Sequence, residues 1–258
     1  MTDPATSPRT TLPEGWRQVE VAGHAVYLME PPQRHPQRFT VIYLHGVHLR
    51  MAHEEPEFVR PFAERGMAMV CPVGGPYWWL DRRIPEFDAE WTPERLVTDA
   101  LLSWLETEWQ VEPERIGLLG TSMGGQGALR MSYKHSRRLR VVAAIAPAID
   151  FHFRWREGDP ILRKIFPDEE AARQETALLY AQGFNCTPHQ FLCCDPDDRR
   201  WWESTDRLRM KLASMGCRFE CDLETRAGGH GFEYYRAMAP RAAQFIEERL
   251  EEVRRTLV

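Results

Sequence analysis

The chain has 258 residues, 43% hydrophobic and 28% charged, a composition of folded globular proteins rather than disordered ones. With 33 Lys and Arg against 38 Asp and Glu the net charge is -5, and no basic run or face offers the footprint that nucleic acid requires. The longest apolar run, Val141 to Ile149, is nine residues and contains Pro147, far short of the ~20 needed to cross a bilayer, so no membrane partner is expected.

Residues 1–14, rich in Thr, Pro and Ser, read as a flexible leader. They lack the apolar core of a secretory signal, and the expected location is cytoplasmic. Residues 15–258 read as one domain. From Trp16 to Met29 apolar positions alternate around Gly23-His24, the pattern of two antiparallel strands at a sheet edge. Phe39 to Leu44 is a β-branched and aromatic run that suits a central strand, and it ends in His45-Gly46. His53 to Arg65 suits a helix closed by Gly66, and Met67 to Val73 the next buried strand. Gly74 to Trp79 reads as a loop that exposes its aromatics.

Thr92-Pro93 opens a helix with a good N-cap and a proline at the first helical position. Arg115 to Leu119 reads as a strand, Met123 to Lys134 as its helix and Val141 to Ala146 as a further buried strand. Residues 149–170 have no clean period and read as a small lid. Glu169 to Gln182 suits a helix and Gln190 to Cys194 a strand. Leu208, Leu212 and Met215 stripe a helix that stops at Gly216, Phe219 to Leu223 is the last strand, and a final helix follows Gly231. Such alternation implies a mostly parallel sheet with helices on both faces, an α/β fold whose working residues gather beyond the carboxyl ends of the strands.

At one such end stands Gly120-Thr121-Ser122-Met123-Gly124. A serine on a sharp strand-to-helix turn needs nearly side-chain-free positions two before and two after it, and both are glycine. The turn lifts the Ser122 hydroxyl out of the sheet and aims the Met123 amide at the same space. A serine hydroxyl is a weak nucleophile without a base. His230, in Gly228-Gly229-His230-Gly231 after the last strand, is the candidate base. A carboxylate must then orient it. Asp195, Asp197 and Asp198 all qualify, with Asp198 favoured because it leaves room for the strand to turn. His45-Gly46 shapes a loop whose Val47 amide is the second candidate oxyanion donor. His45, His48 and His53 match no strong metal-ligand spacing, so no metal and no cofactor is expected.

The order Ser122, Asp198, His230, the elbow and the alternating elements resemble the α/β-hydrolase fold over residues 16–256. Phe39–Gly46, the elbow and Gly228–Tyr235 look most like the esterase D-type putative esterases. That resemblance implies a compact sheet, a minimal cap and hydrolysis of small-acyl esters or thioesters, with a small-molecule ester as partner. The chain departs from the family pattern in its acid loop and in Tyr77-Trp78-Trp79.

For the substrate pocket, His45, Trp78, Trp79 and Phe151 are the candidate wall, with Tyr77, Phe153 and Trp155 near them; Arg82, Arg83, Arg154 and Arg156 are candidates to meet an acidic substrate. Cys71, Cys193 and Cys194 read as small buried hydrophobes, while Cys217 and Cys221 flank a helix-to-strand turn, where a disulfide is the less favoured alternative. The rival readings are an acyltransferase or peptidase-like hydrolase of this fold, a metal-dependent hydrolase, and a non-catalytic binding module on the same scaffold. The sequence does not give the oligomeric state, and a homo-oligomer is one candidate.

Overall fold

The computed structural model describes residues 12–256, so the leader expected over 1–14 lies outside the described residues except for its last three. Two edge strands come first, β1 (Trp16–Val21) and β2 (His24–Met29), paired antiparallel. Then follow β3 (Thr40–Leu44), α1 (Pro56–Glu64) and β4 (Ala68–Pro72). A helical run joins α2 (Pro93–Arg95) through a π turn (Leu96–Leu101) to α3 (Leu102–Glu108), and the Thr92 side chain caps it by accepting from the Arg95 amide.

β5 (Ile116–Thr121) leads into α4 (Met123–Lys134), and β6 (Val141–Ile145) follows. Two short helices, α5 (His152–Arg156) and α6 (Pro160–Ile165), occupy the segment without a period. Next come α7 (Glu169–Arg173), α8 (Ala177–Tyr180), β7 (His189–Cys193) and α9 (Arg199–Ser214). The chain closes with β8 (Glu220–Asp222) and α10 (Phe232–Thr256).

The described residues form one eight-stranded sheet in the order β1-β2-β4-β3-β5-β6-β7-β8. Only β2 runs against its neighbours; from β4 to β8 every pairing is parallel. β3, β4, β5, β6 and β7 are buried throughout, as a sheet covered on both faces must be. α10 packs on α1 and on β5 to β7, while α4 crosses β3, β5 and β6 on the other face. This is the α/β-hydrolase architecture, and it sets the carboxyl ends of β3, β5, β6 and β7 along one edge of the sheet.

Two expectations are corrected. The single helix over Glu169 to Gln182 is two, because Gln126 of α4 serves the backbone at the break. Its Oε1 accepts from the Ala177 amide at 2.7 Å and its Nε2 donates to the Glu175 carbonyl at 3.4 Å. The disulfide joins Cys217 to Cys186, not to Cys221. Each partner lies just ahead of a strand, and β7 and β8 are parallel neighbours, so their entry points come together. Cys71, Cys193 and Cys194 are buried thiols, as read from the sequence.

The helix after the elbow is anchored by a buried ion cluster. Arg130 of α4 pairs with Glu94 and Glu175, and Glu94 also meets Lys134 and His135. Burial alone would raise the Glu94 carboxyl, but His135, Arg130 and Lys134 outweigh it and hold the pKa at about 2. A folded-state value below the unfolded ~4.3 gives stability that is present above ~4.3 and lost as pH falls through the folded value. We expect Glu94→Gln to cost about 3 kcal/mol or more at pH 7, because it leaves Arg130 short of a partner. Urea titrations of the two proteins should then converge as pH is lowered from ~4.5 toward 2.

Candidate active site

Ser122 stands at the tip of β5 with φ 54° and ψ -119°, a backbone conformation that a non-glycine residue holds only when its surroundings impose it. The imposition is visible. The Ser122 amide donates to the Ile145 carbonyl at 3.1 Å, and its carbonyl accepts from Gln126 at 3.1 Å and Ala148 at 2.9 Å. The two flanking glycines are required by contact. A Cβ on Gly120 would overlap the Gly124 carbonyl, and one on Gly124 would overlap the Leu44 carbonyl. Both obstacles are backbone and cannot rotate away. Gly124→Ala is therefore expected to cost about 3 kcal/mol or more, read as a fall in urea midpoint relative to wild type.

His230 precedes α10, and Gly228 and Gly229 hold φ 86° and 76° to turn the loop back over the sheet. Its Nδ1 lies 2.6 Å from Asp198 Oδ2, and its Nε2 lies 2.9 Å from Ser122 Oγ. An ionised carboxylate only accepts, so Nδ1–H donates to Asp198, and Nε2 is left to accept from the serine hydroxyl. Ser122, Asp198 and His230, 108 residues apart at the widest, are thus one hydrogen-bonded chain.

The three candidate aspartates separate by what they touch. Asp198 caps α9, accepting from the Trp201 amide at 3.4 Å with the oxygen that does not face His230. Asp195 is buried at the end of β7. Its Oδ2 accepts from the Ala227 and Gly229 amides at 2.6 and 2.9 Å, and its Oδ1 from Asp197 at 2.8 Å. Burial pushes the Asp195 carboxyl up, but those amides outweigh it and hold the pKa below the ordinary value. Asp197 pairs with Arg226 in the open. Asp195 and Asp197 therefore fasten the loop that carries His230, and Asp198 meets the imidazole.

Gly46 faces Ser122 closely; a Cβ there would lie 3.5 Å from the Ser122 Cβ. Among the described residues, neither the Val47 nor the Met123 amide donates to a protein acceptor, and two free donors beside one hydroxyl can hold a developing oxyanion. His45 is fully buried behind this loop. Burial lowers its pKa to about 4, so the ring is neutral at pH 7. Nδ1–H donates to the Gly46 carbonyl at 2.8 Å, while Nε2 accepts from the Gly74 amide at 3.2 Å.

A cavity of about 460 Å³ opens on Ser122 and His230. Trp78 lines it, as expected from the sequence, together with Val47, Trp201, Phe232 and Tyr235. Three other candidates for its wall do not. His45 is spent on holding the Gly46 carbonyl and the Gly74 amide. Trp79, in a loop expected to expose its aromatics, is buried; its ring fills the space beside Gly74 and Gly127, and its Nε1 donates to the His45 carbonyl at 3.1 Å. Phe151 lies behind Trp78, ring on ring at 4.6 Å. Of the four candidate arginines only Arg154 reaches the cavity, joined by Arg50 and Arg200. Arg82 instead pairs with Glu175 and Arg156 with Glu169.

Tyr235, on the first turn of α10, is a cavity residue that the sequence reading does not single out. Its hydroxyl lies 3.1 Å from His230 Nε2, with the two rings edge to face. The signal was available: a tyrosine on the first turn after a histidine loop points back at that loop. Among the described residues, no group of three or more His, Cys, Asp or Glu side chains could hold a metal ion, and no helix is long and apolar enough to cross a membrane.

A sequence profile of the family described as putative esterase matches residues 11–238. No curated protein matches the chain in sequence. Among solved structures it is similar to an S-formylglutathione hydrolase from Agrobacterium tumefaciens, at 20% identity over 91% of this chain and 94% of that one, TM-score 0.72. It is also similar to a ferulic acid esterase, at 17% identity over 88% and 93% of the two chains, TM-score 0.69. Fluorophosphonate-binding serine hydrolase F of Staphylococcus aureus is similar at 12% identity over 86% and 92%, TM-score 0.69. At these identities the likeness is one of fold.

Proposed function

Since the chain belongs to the putative esterase family, we propose that it hydrolyses carboxylic esters or thioesters of small acyl groups through an acyl-enzyme on Ser122. The observation that carries this reading is the 2.9 Å approach of Ser122 Oγ to an imidazole nitrogen whose ring is held from behind by Asp198 at 2.6 Å. The names of the similar structures, an S-formylglutathione hydrolase and a ferulic acid esterase, fit the same class of bond.

Ser122 Oγ attacks the carbonyl carbon as its proton passes to His230 Nε2. The carbonyl electron pair moves onto oxygen, which sits between the Met123 and Val47 amides. Collapse of the tetrahedral intermediate expels the alcohol or thiol, which takes the proton from Nε2. Water then repeats the attack on the acyl-enzyme and releases the acid. Asp198 keeps the proton on Nδ1 and stabilises the imidazolium. While Nε2 is protonated it donates, and the Tyr235 oxygen beside it is an acceptor that steadies the ring. Residues 149–170 act as a small cap, since Arg154 of α5 forms part of the cavity wall.

A fluorophosphonate probe tests this directly. We expect one equivalent on the native protein, mapped to the peptide carrying Ser122, with p-nitrophenyl acetate turnover lost in step. Label elsewhere, or an unlabelled protein, would end the reading.

A further inference from the structure

Three arginines, Arg50, Arg154 and Arg200, line the cavity over Ser122, and no aspartate or glutamate lines it. The chain as a whole is acidic, at -5, so a mouth set with guanidiniums alone departs from the surface around it. Each is laid on an aromatic ring of that same cavity: Arg50 on Phe232 at 5.1 Å, Arg154 on Trp78 at 5.9 Å and Arg200 on Trp201 at 5.8 Å. Stacking fixes a guanidinium's plane and uses none of its N–H donors, a posture that suits a carboxylate.

The arginines do have protein partners, and one of these carboxylates, Glu55, is shared between two cations, Arg50 and Arg236. Asp159 meets Arg154 but also accepts from the Ile161 and Leu162 amides at the start of α6. Arg200 holds Glu157 through both guanidinium ends at 3.0 and 2.7 Å, with both side chains about half exposed, so solvent screens the pair and an incoming anion competes with Glu157 for it. Trp78 belongs to the same wall. The indole Nε1 of Trp78 is buried and has no partner among the described residues, an arrangement a fold leaves only at some cost.

We propose that the preferred substrates are esters carrying a carboxylate near the scissile bond, held by the guanidiniums of Arg50, Arg154 and Arg200. The proposal rests on the esterase reading and deepens it. Cationic groups in a walled cleft focus field on an incoming anion, so the preference should be strongest at low ionic strength and fade as salt screens it.

The experiment compares two matched pairs: p-nitrophenyl acetate with its ring-carboxylated analogue, and p-nitrophenyl hexanoate with mono-p-nitrophenyl adipate. Each rate is divided by that ester's spontaneous hydrolysis. Wild type should favour the anionic member of at least one pair by about tenfold in kcat/KM, the scale of one hydrogen bond to a charged group. Arg50→Gln, Arg154→Gln and Arg200→Gln are each made, and at least one should collapse that ratio. A ratio near one for both pairs, or a ratio untouched by all three substitutions, overturns the proposal while leaving the esterase reading intact. Calorimetric titration of Ser122→Ala with adipate and with neutral butanol gives a readout independent of turnover. Binding of the dicarboxylate alone, lost with the arginines, supports the anion site even if no ester is cleaved; no binding of it counts against the site.

Discussion

Ser122→Ala is expected to lower kcat for an activated ester by on the order of 10⁴-fold or more, with the fold intact. The size of the loss follows from what remains. The Met123 and Val47 amides still face the carbonyl, but the only nucleophile left is water with no fixed place beside His230. The stability argument is equally specific. Alanine keeps a Cβ at φ 54°, so the strain of the turn is unchanged. Loss of Oγ does not orphan Nε2, because the Tyr235 hydroxyl at 3.1 Å can donate to it. The unfolding free energy should therefore stay within about 1 kcal/mol of wild type. Steady-state kinetics and thermal melts on the same preparation check both halves. Retained turnover would remove Ser122 from the chemistry, and a large loss of stability would make the kinetic result uninformative, which is why both are measured.

How much of this site is legible in the sequence depends on how local each cause is. The elbow was legible because its rule is steric and spans five residues: Gly120 and Gly124 leave space that any Cβ would fill. His230 was legible because glycines flank it and a strand precedes it. Asp198 could be favoured but not separated from Asp195 and Asp197, since three carboxylates within four positions differ only in which amides and cations the folded loop brings them. The aromatic loop was misread for a different reason. Trp79 fills a gap beside Gly127, a residue 48 positions further on, and no local pattern distinguishes a ring that fills a core from one that walls a pocket. Arg50, Arg200 and Tyr235 reach the cavity from three separate elements. The Cys186–Cys217 bond depends on β7 and β8 being neighbours, which is a property of the sheet order.

Asp198→Asn should cost about 10⁴-fold in kcat at neutral pH, the loss that a wrong imidazole tautomer brings. The asparagine amide can turn its NH₂ toward His230 and donate to Nδ1. That forces the ring proton onto Nε2, where it faces Ser122 and can no longer accept. Stability should hardly change, since asparagine caps a helix as well as aspartate does, and the oxygen accepting from the Trp201 amide is retained. The neighbouring aspartates supply the controls. Asp195→Asn replaces an oxygen that accepts from both the Ala227 and Gly229 amides. It should cost about 1–3 kcal/mol of stability and lower activity less than Asp198→Asn, by loosening the loop rather than by changing the tautomer. Asp197→Asn removes one exposed ion pair with Arg226 and should shift neither quantity by more than about 1 kcal/mol. Measured together by kinetics and urea titration, the three variants must fall in that order of kinetic loss, with the stability loss belonging to Asp195. If Asp195→Asn proves the most damaging to kcat and leaves stability alone, the carboxylate that serves His230 has been misassigned.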